Sequence, residues 1–130
     1  MGRKLNVGIV GCGAVALKGH APAITASRYL RLVAASDVSE KALKRFGRKT
    51  GVKRLYTDYR EMLEREELDL VDVCTPPHTH AEVAVYSARQ GVNVLVEKPM
   101  AVSTRECRRM VEEAKRAGVK LCVVKNHRYI

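Results

Sequence analysis

Tryptophan is absent from the 130 residues, phenylalanine occurs once, and aromatic residues together make up 5%. A chain so poor in rings has no platform on which the bases of a single nucleic-acid strand could stack. No apolar run is long enough to span a membrane. The first residues pass straight into a short strand-like segment rather than into the pattern of a secretory leader. Low-complexity stretches and internal repeats are also missing. The four cysteines, Cys12, Cys74, Cys107 and Cys122, include no C-x-x-C pair, and none stands near histidines at metal-ligand spacing. The pattern predicts no metal site. It predicts instead thiols buried in core segments and tight turns of a protein kept in the reducing cytoplasm.

Acidic residues are the scarcer charge, 14 against 24 lysines and arginines, which leaves a net charge of +10. Such an excess suits nucleic acid, but the basic residues are spread along the helical patterns and turns, and only two stretches repeat a run of them. One holds Lys41, Lys44, Arg45, Arg48 and Lys49, the other Arg105, Arg108, Arg109, Lys115 and Arg116. Glutamates share both stretches, so the reading is of solvated helix faces. No element that would read a nucleic acid is apparent. A basic surface also suits the pyrophosphate of a dinucleotide.

What is present is alternation. Leu5–Val10, Leu30–Ala35, Leu70–Cys74, Asn93–Val96 and Lys120–Val124 are short apolar runs rich in β-branched residues, as in strands covered on both faces. Arg54–Tyr56 is a weaker candidate. Between them lie helical patterns. Asp58 with Glu61, Thr79 with Glu82 and Ser103 with Glu106 have capping-box spacing. Cys107, Met110, Val111, Ala114 and Ala117 mark one apolar helix face. Gly51, Gly91 and Gly118 stand where left-handed residues would end helices. Gly19 and Pro22 should kink or break the first helix. Repeated strand–helix–strand units predict one α/β domain over 1–130, a doubly wound parallel sheet of Rossmann type in three α/β/α layers, with strand order 3-2-1-4-5-6.

The chemistry-bearing signal begins directly after the first strand. Gly11-Cys12-Gly13-Ala14-Val15-Ala16 is G-x-G-x-x-A, in the strand-to-helix context that gives this motif meaning. Gly11 permits the tight turn, Gly13 a close approach of pyrophosphate, and Ala16 close helix–strand packing. The N–H groups of Ala14 and Val15 would open the helix toward the phosphates. About 20 residues on, the second strand ends at Asp37, where a carboxylate would hold the adenosine ribose and repel a 2′-phosphate. No arginine follows Asp37 at once, so NAD(H) is expected over NADP(H).

Three further elements leave the strands at their carboxyl ends. They are Thr75-Pro76-Pro77-His78-Thr79-His80, Glu97-Lys98-Pro99, and Asn126-His127-Arg128. Together with the glycine turn and Asp37, this series closely resembles the inositol dehydrogenase and glucose–fructose oxidoreductase (Gfo/Idh/MocA) family over essentially the whole chain. The resemblance implies that Thr75, Pro76 and His80 line the cofactor, and that Glu97 bonds the nicotinamide ribose. It places Lys98 as the catalytic residue at the substrate oxygen, and Pro99 at a turn with a cis bond. Asn126 and Arg128 would lie near the same cleft. His78 and His20 read equally as surface residues. The resemblance further implies a second, substrate-binding domain that this sequence lacks, a sugar or cyclitol substrate, and a homo-oligomer formed through that domain. The alternative is a free-standing module that senses NAD without catalysis.

Overall fold

The computed structural model describes residues 3–125. Six parallel strands form one sheet in the order β3-β2-β1-β4-β5-β6. They are β1 (Leu5–Val10), β2 (Leu30–Ser36), β3 (Arg54–Tyr56), β4 (Leu70–Val73), β5 (Asn93–Val96) and β6 (Leu121–Val123). The helices are α1 (Ala21–Ala26), α2 (Glu40–Thr50), α3 (Tyr59–Arg65), α4 (His80–Arg89) and α5 (Thr104–Ala117). The strand order is the predicted one. It places β1 beside both β2 and β4, so the chain reverses its direction of winding between them.

Each face of the sheet buries its own apolar layer. Val7, Ile9 and Ala35 pack with Ile24 of α1 and with Leu43 and Phe46 of α2. Val10, Val71, Val73, Val94 and Val96 pack on the other face with Met62 of α3, Val83 of α4 and Met110 of α5. The central strands are covered on both sides, which is why they read as continuous apolar runs. Every basic residue of the two rich stretches in α2 and α5 is exposed. The predicted apolar face of α5 is narrower than its pattern: Met110 and Ala114 are buried, whereas Val111 and Ala117 are exposed. Glu113 takes part of the seam instead, bonded to Arg89 of α4 at 3.0 Å.

Helix ends follow the sequence in most places. Gly51, Gly91 and Gly118 all have positive φ. Ser103 accepts from the Glu106 N–H, and Ser39 caps α2 through the Ala42 N–H. Two capping boxes need correction. Asp58 accepts from the Arg60 N–H, two residues on rather than three. Thr79 makes no capping bond to α4: its backbone is already helical, and its hydroxyl lies against the preceding turn, 2.6 Å from Thr75 Oγ1 and 2.8 Å from Pro76 O. The first helix does not break at Gly19 or Pro22. It opens into a π-helical turn over Ala16–His20, in which the Ala21 N–H reaches Ala16 O. A proline ring clashes with the carbonyl four residues earlier, here Lys18, and the wider turn relieves that crowding.

The cysteine expectation also needs correction. Cys12 is buried, but Cys74 and Cys107 are only partly so, and Cys122 is exposed. Cys122 sits on β6, the edge strand of the sheet among the described residues. All four are free thiols. Among the described residues no helix is long and apolar enough to cross a membrane.

Phe46, the lone phenylalanine, is fully buried between α2 and the sheet. Phe46→Ala should lower the unfolding free energy by about 3–5 kcal/mol, as large-to-small core changes do, and urea denaturation checks it.

Candidate functional site: the carboxyl edge of the sheet

The glycine turn is built against the exit of β4. Gly11 has φ +98°, and a Cβ there would lie 2.7 Å from the carbonyl carbon and oxygen of Cys74 and 2.8 Å from the Thr75 nitrogen. Only glycine fits, for reasons of backbone conformation and of space together. Gly13 differs: a Cβ there would meet nothing within 4 Å. The fold itself places no demand on Gly13, so its lack of a side chain leaves a surface open to whatever lies on the turn. Ala14 and Val15 open the helix, and no side chain caps its start.

Asp37 sits where the sequence placed it, but it has protein partners. One carboxylate oxygen accepts from the Cys12 N–H at 2.7 Å, the other from the Ser39 N–H at 2.8 Å. The side chain thus ties the glycine turn to the start of α2. Each oxygen retains a second lone pair for a ribose hydroxyl.

Between these elements lies a cleft of about 880 Å³. Gly11, Gly13, Asp37, Thr75 and Pro76 line it, as the sequence implies. So do Tyr59 and Arg60, which sequence reasoning missed. Their signal was weak, because they follow β3, the least certain strand, although the rule that ligands bind beyond carboxyl strand ends includes it. Arg60 stacks over the Tyr59 ring at 5.3 Å, and burial with neighbouring Glu82 pushes the Tyr59 hydroxyl up to about 12. Ser36 also lines the cleft, and its buried hydroxyl has no protein partner.

His80 departs from the expectation that it lines the cofactor. The residue is fully buried, its Nε2 2.7 Å from Thr75 O and its Nδ1 2.8 Å from Pro99 O. It joins the loop after β4 to the loop after β5, and has no surface left to present. His78 is the histidine that reaches the cleft. The Lys98–Pro99 bond is cis. Lys98 is exposed and forms no ion pair with Glu97 among the described residues. Asn126 and Arg128 lie outside the described residues.

Glu97 has a partner that the sequence did not disclose. His20, the last residue of the π-helical turn, places Nε2 2.6 Å from Glu97 Oε2 and Nδ1 2.6 Å from Asp72 Oδ2. Both partners are carboxylates, so two hydrogen bonds require the doubly protonated ring. Accordingly the bond to Asp72 raises the His20 pKa most, and the ring titrates at about 9. The Cys74 thiol lies 3.6 Å from Asp72 Oδ1, and burial pushes its pKa up, so it stays protonated. His20, Asp72 and Cys74 have ligand atoms within 4.8 Å of one another, a spacing that a cation could use. The ring nitrogen and the carboxylate are committed to each other, and the thiol resists ionisation; the group is a hydrogen-bonded cluster.

A parallel sheet in this order, with a glycine turn after its first strand and a carboxylate after its second, defines a dinucleotide-binding Rossmann domain. The chain belongs to the Gfo/Idh/MocA oxidoreductase family with an NAD-binding Rossmann fold, whose model matches residues 5–125. It is 32% identical to D-apiose dehydrogenase of Paraburkholderia graminis over 98% of its own length and 34% of that protein. To myo-inositol 2-dehydrogenase of Thermotoga maritima it is 33% identical, over 96% of the chain and 37% of the relative. Among solved structures, the WlbA dehydrogenase from Bordetella pertussis, in complex with NADH and UDP-GlcNAcA, superposes with a TM-score of 0.92 at 35% identity. That match covers 97% of this chain and 38% of the other. The chain thus spans a little over a third of the length of these relatives.

Two outcomes follow from this geometry. Gly11→Ala should destabilise the fold by at least about 1–2 kcal/mol, the cost of a left-handed backbone alone, whereas Gly13→Ala should melt like the parent. Because the folded His20 pKa is above its unfolded value of 6.5, its stabilisation is complete below that value and is lost as pH rises through about 9. Melting temperature should therefore fall between pH 7 and pH 10 more steeply in the parent than in His20→Gln.

Proposed function

We propose that this chain holds NAD(H) for a dehydrogenase that oxidises a CH–OH group of a sugar, cyclitol or related polyol in the cytoplasm. In this reading a second domain of the whole protein completes the substrate pocket and carries the homo-oligomer contacts. The observation that carries the reading is the asymmetry of the glycine turn. Gly11 is demanded by the protein's own backbone, while a Cβ at Gly13 would meet nothing within 4 Å among the described residues. A turn that keeps an open face, an uncapped helix start and an unpartnered serine hydroxyl beside the cleft fits a phosphate-bearing ligand. The relatives named D-apiose dehydrogenase and myo-inositol 2-dehydrogenase supply the substrate class.

The cofactor, when bound, supplies the acceptor for the hydride. The N–H groups of Gly13, Ala14 and Val15 receive the pyrophosphate, and Asp37 takes the adenosine ribose and repels a 2′-phosphate. Thr75 and Pro76 flank the pyrophosphate and the nicotinamide ribose. His80 sets the spacing of those two loops from beneath, and Glu97 bonds the nicotinamide ribose. Lys98, exposed at the same edge, would take up the substrate's hydroxyl proton as the carbon gives up its hydride to the cofactor, and would then hold the new carbonyl oxygen by a hydrogen bond.

Titration by NADH fluorescence should show tighter binding than for NADPH, and Gly13→Val should abolish binding without lowering the melting temperature. Equal affinity for both cofactors would remove Asp37 from the ribose. Asp37→Ala should weaken NADH binding and also lower stability by about 1–3 kcal/mol, because the Cys12 N–H loses a charged acceptor. In the full-length protein, Lys98→Met should keep NADH affinity while kcat falls roughly 10²-fold or more, the usual scale for a proton-transfer group. Lys98→Arg should rescue poorly, since guanidinium is always protonated and cannot take up the hydroxyl proton. Near-normal kcat in Lys98→Met would make Lys98 a surface charge.

A further inference from the structure

Glu97 directly follows β5 and carries a side chain with three rotatable bonds. Left alone, it would have to be ordered each time a ligand bound, at a cost in side-chain entropy. In this chain it is already ordered. One oxygen, Oε2, is held at 2.6 Å by His20, and among the described residues the carboxylate has no other partner. His20 in turn is fixed from behind by Asp72, whose side chain is only 2% exposed and anchored in the central strand β4. The three residues are 52 and 77 positions apart in the chain and come from three different elements.

We propose that His20 is a positioning residue of the cofactor site, holding Glu97 by one carboxylate oxygen so that the other is preset toward the dinucleotide ribose. The inference rests on the reading that Glu97 contacts the cofactor. Two features of the fold make the arrangement specific. The π-helical turn ends at His20, so the helix whose first turn faces the pyrophosphate also delivers the ring that orders the nicotinamide end. Charge then decides the ring's form. Two carboxylates on opposite sides of one imidazole repel each other unless the ring between them is cationic, and the cation leaves the cluster with a single net negative charge. The titratable groups against the ring are Asp72 and Cys74 from the end of β4 and Glu97 from the end of β5, with the buried Cys12 thiol beyond Cys74. Both thiols are pushed up by burial and stay neutral, so the carboxylates and the ring alone set the balance.

Two measurements on this chain test the proposal. Ring 15N shifts of the unliganded chain should show His20 doubly protonated at pH 7.5 and deprotonating near pH 9, with the titration moving down in Glu97→Gln. NADH titrations should then give roughly tenfold or more weaker binding in His20→Gln, with the parent losing affinity between pH 8 and pH 10 and the variant flat over that range. The double variant His20→Gln/Glu97→Gln should bind no worse than Glu97→Gln alone, since His20 acts through Glu97. His20→Gln combined with Asp37→Ala should show additive losses. A ring that titrates near its ordinary value overturns the clamp itself, whatever binds. An intact clamp with unchanged NADH affinity in His20→Gln, or additive losses with Glu97→Gln, overturns the positioning role and leaves the functional reading standing. A parent chain that does not bind NADH at all overturns both.

Discussion

Gly11 lies so close to the backbone of Cys74 and Thr75 that no side-chain atom fits between them, and the carboxyl edge of the sheet is arranged around that approach. Because β1 is flanked by β2 and β4, the chain leaves β1 toward one face and leaves β4 toward the other. The two departing loops separate and open a crevice at the point where winding reverses. Closing the gap between Gly11 and Cys74 to backbone contact sets the width of that crevice at its base. A larger residue there would push β4 away and carry the loop of Thr75 and Pro76 with it. The N–H of Cys74 on Val10 O and that of Gly11 on Ser36 O hold the three central strands together at the same level.

Acidic side chains do the ordering above that base, although the protein as a whole is strongly basic. Asp37 ties the glycine turn to the loop before α2 through two backbone N–H groups. Asp72, His20 and Glu97 tie the first helix to the ends of β4 and β5. Buried carboxylates are costly unless paired and hydrogen-bonded, and each of these has a defined donor. The basic residues of α2 and α5 lie on outward faces, where water solvates them, and only Arg60 among the described lysines and arginines lines the cleft. Net charge therefore describes the surface of this domain and says little about its site.

Other contacts complete the frame. His80 is buried beneath the site, its two ring nitrogens facing one carbonyl from each of the two loops that follow β4 and β5. The spacing of the T-P-x-x-x-H pattern brings this histidine back beneath Thr75, into the interior and out of the cleft. Tyr59 and Arg60 wall the opposite side, stacked on each other beyond β3.

Strands, their order and the glycine turn were legible in the sequence, because each rests on local rules. Continuous β-branched runs mark doubly covered strands, glycine marks left-handed backbone, and a carboxylate about twenty residues after the turn marks the end of β2. Lys98 and its proline could be placed at the sheet edge for the same reason. What the sequence could not determine depends on residues that meet only after the sheet has formed. Periodicity leaves His20 on a helix of uncertain regularity, and Asp72 reads as one polar residue in an apolar strand. Their pairing with Glu97 spans 77 positions and needs both the strand order and the extra residue of a π-helical turn. The burial of His80 and the exposure of Cys122 were likewise decided by tertiary packing. Local pattern says which residues prefer the interior, whereas the number of neighbouring layers says which of them reach it.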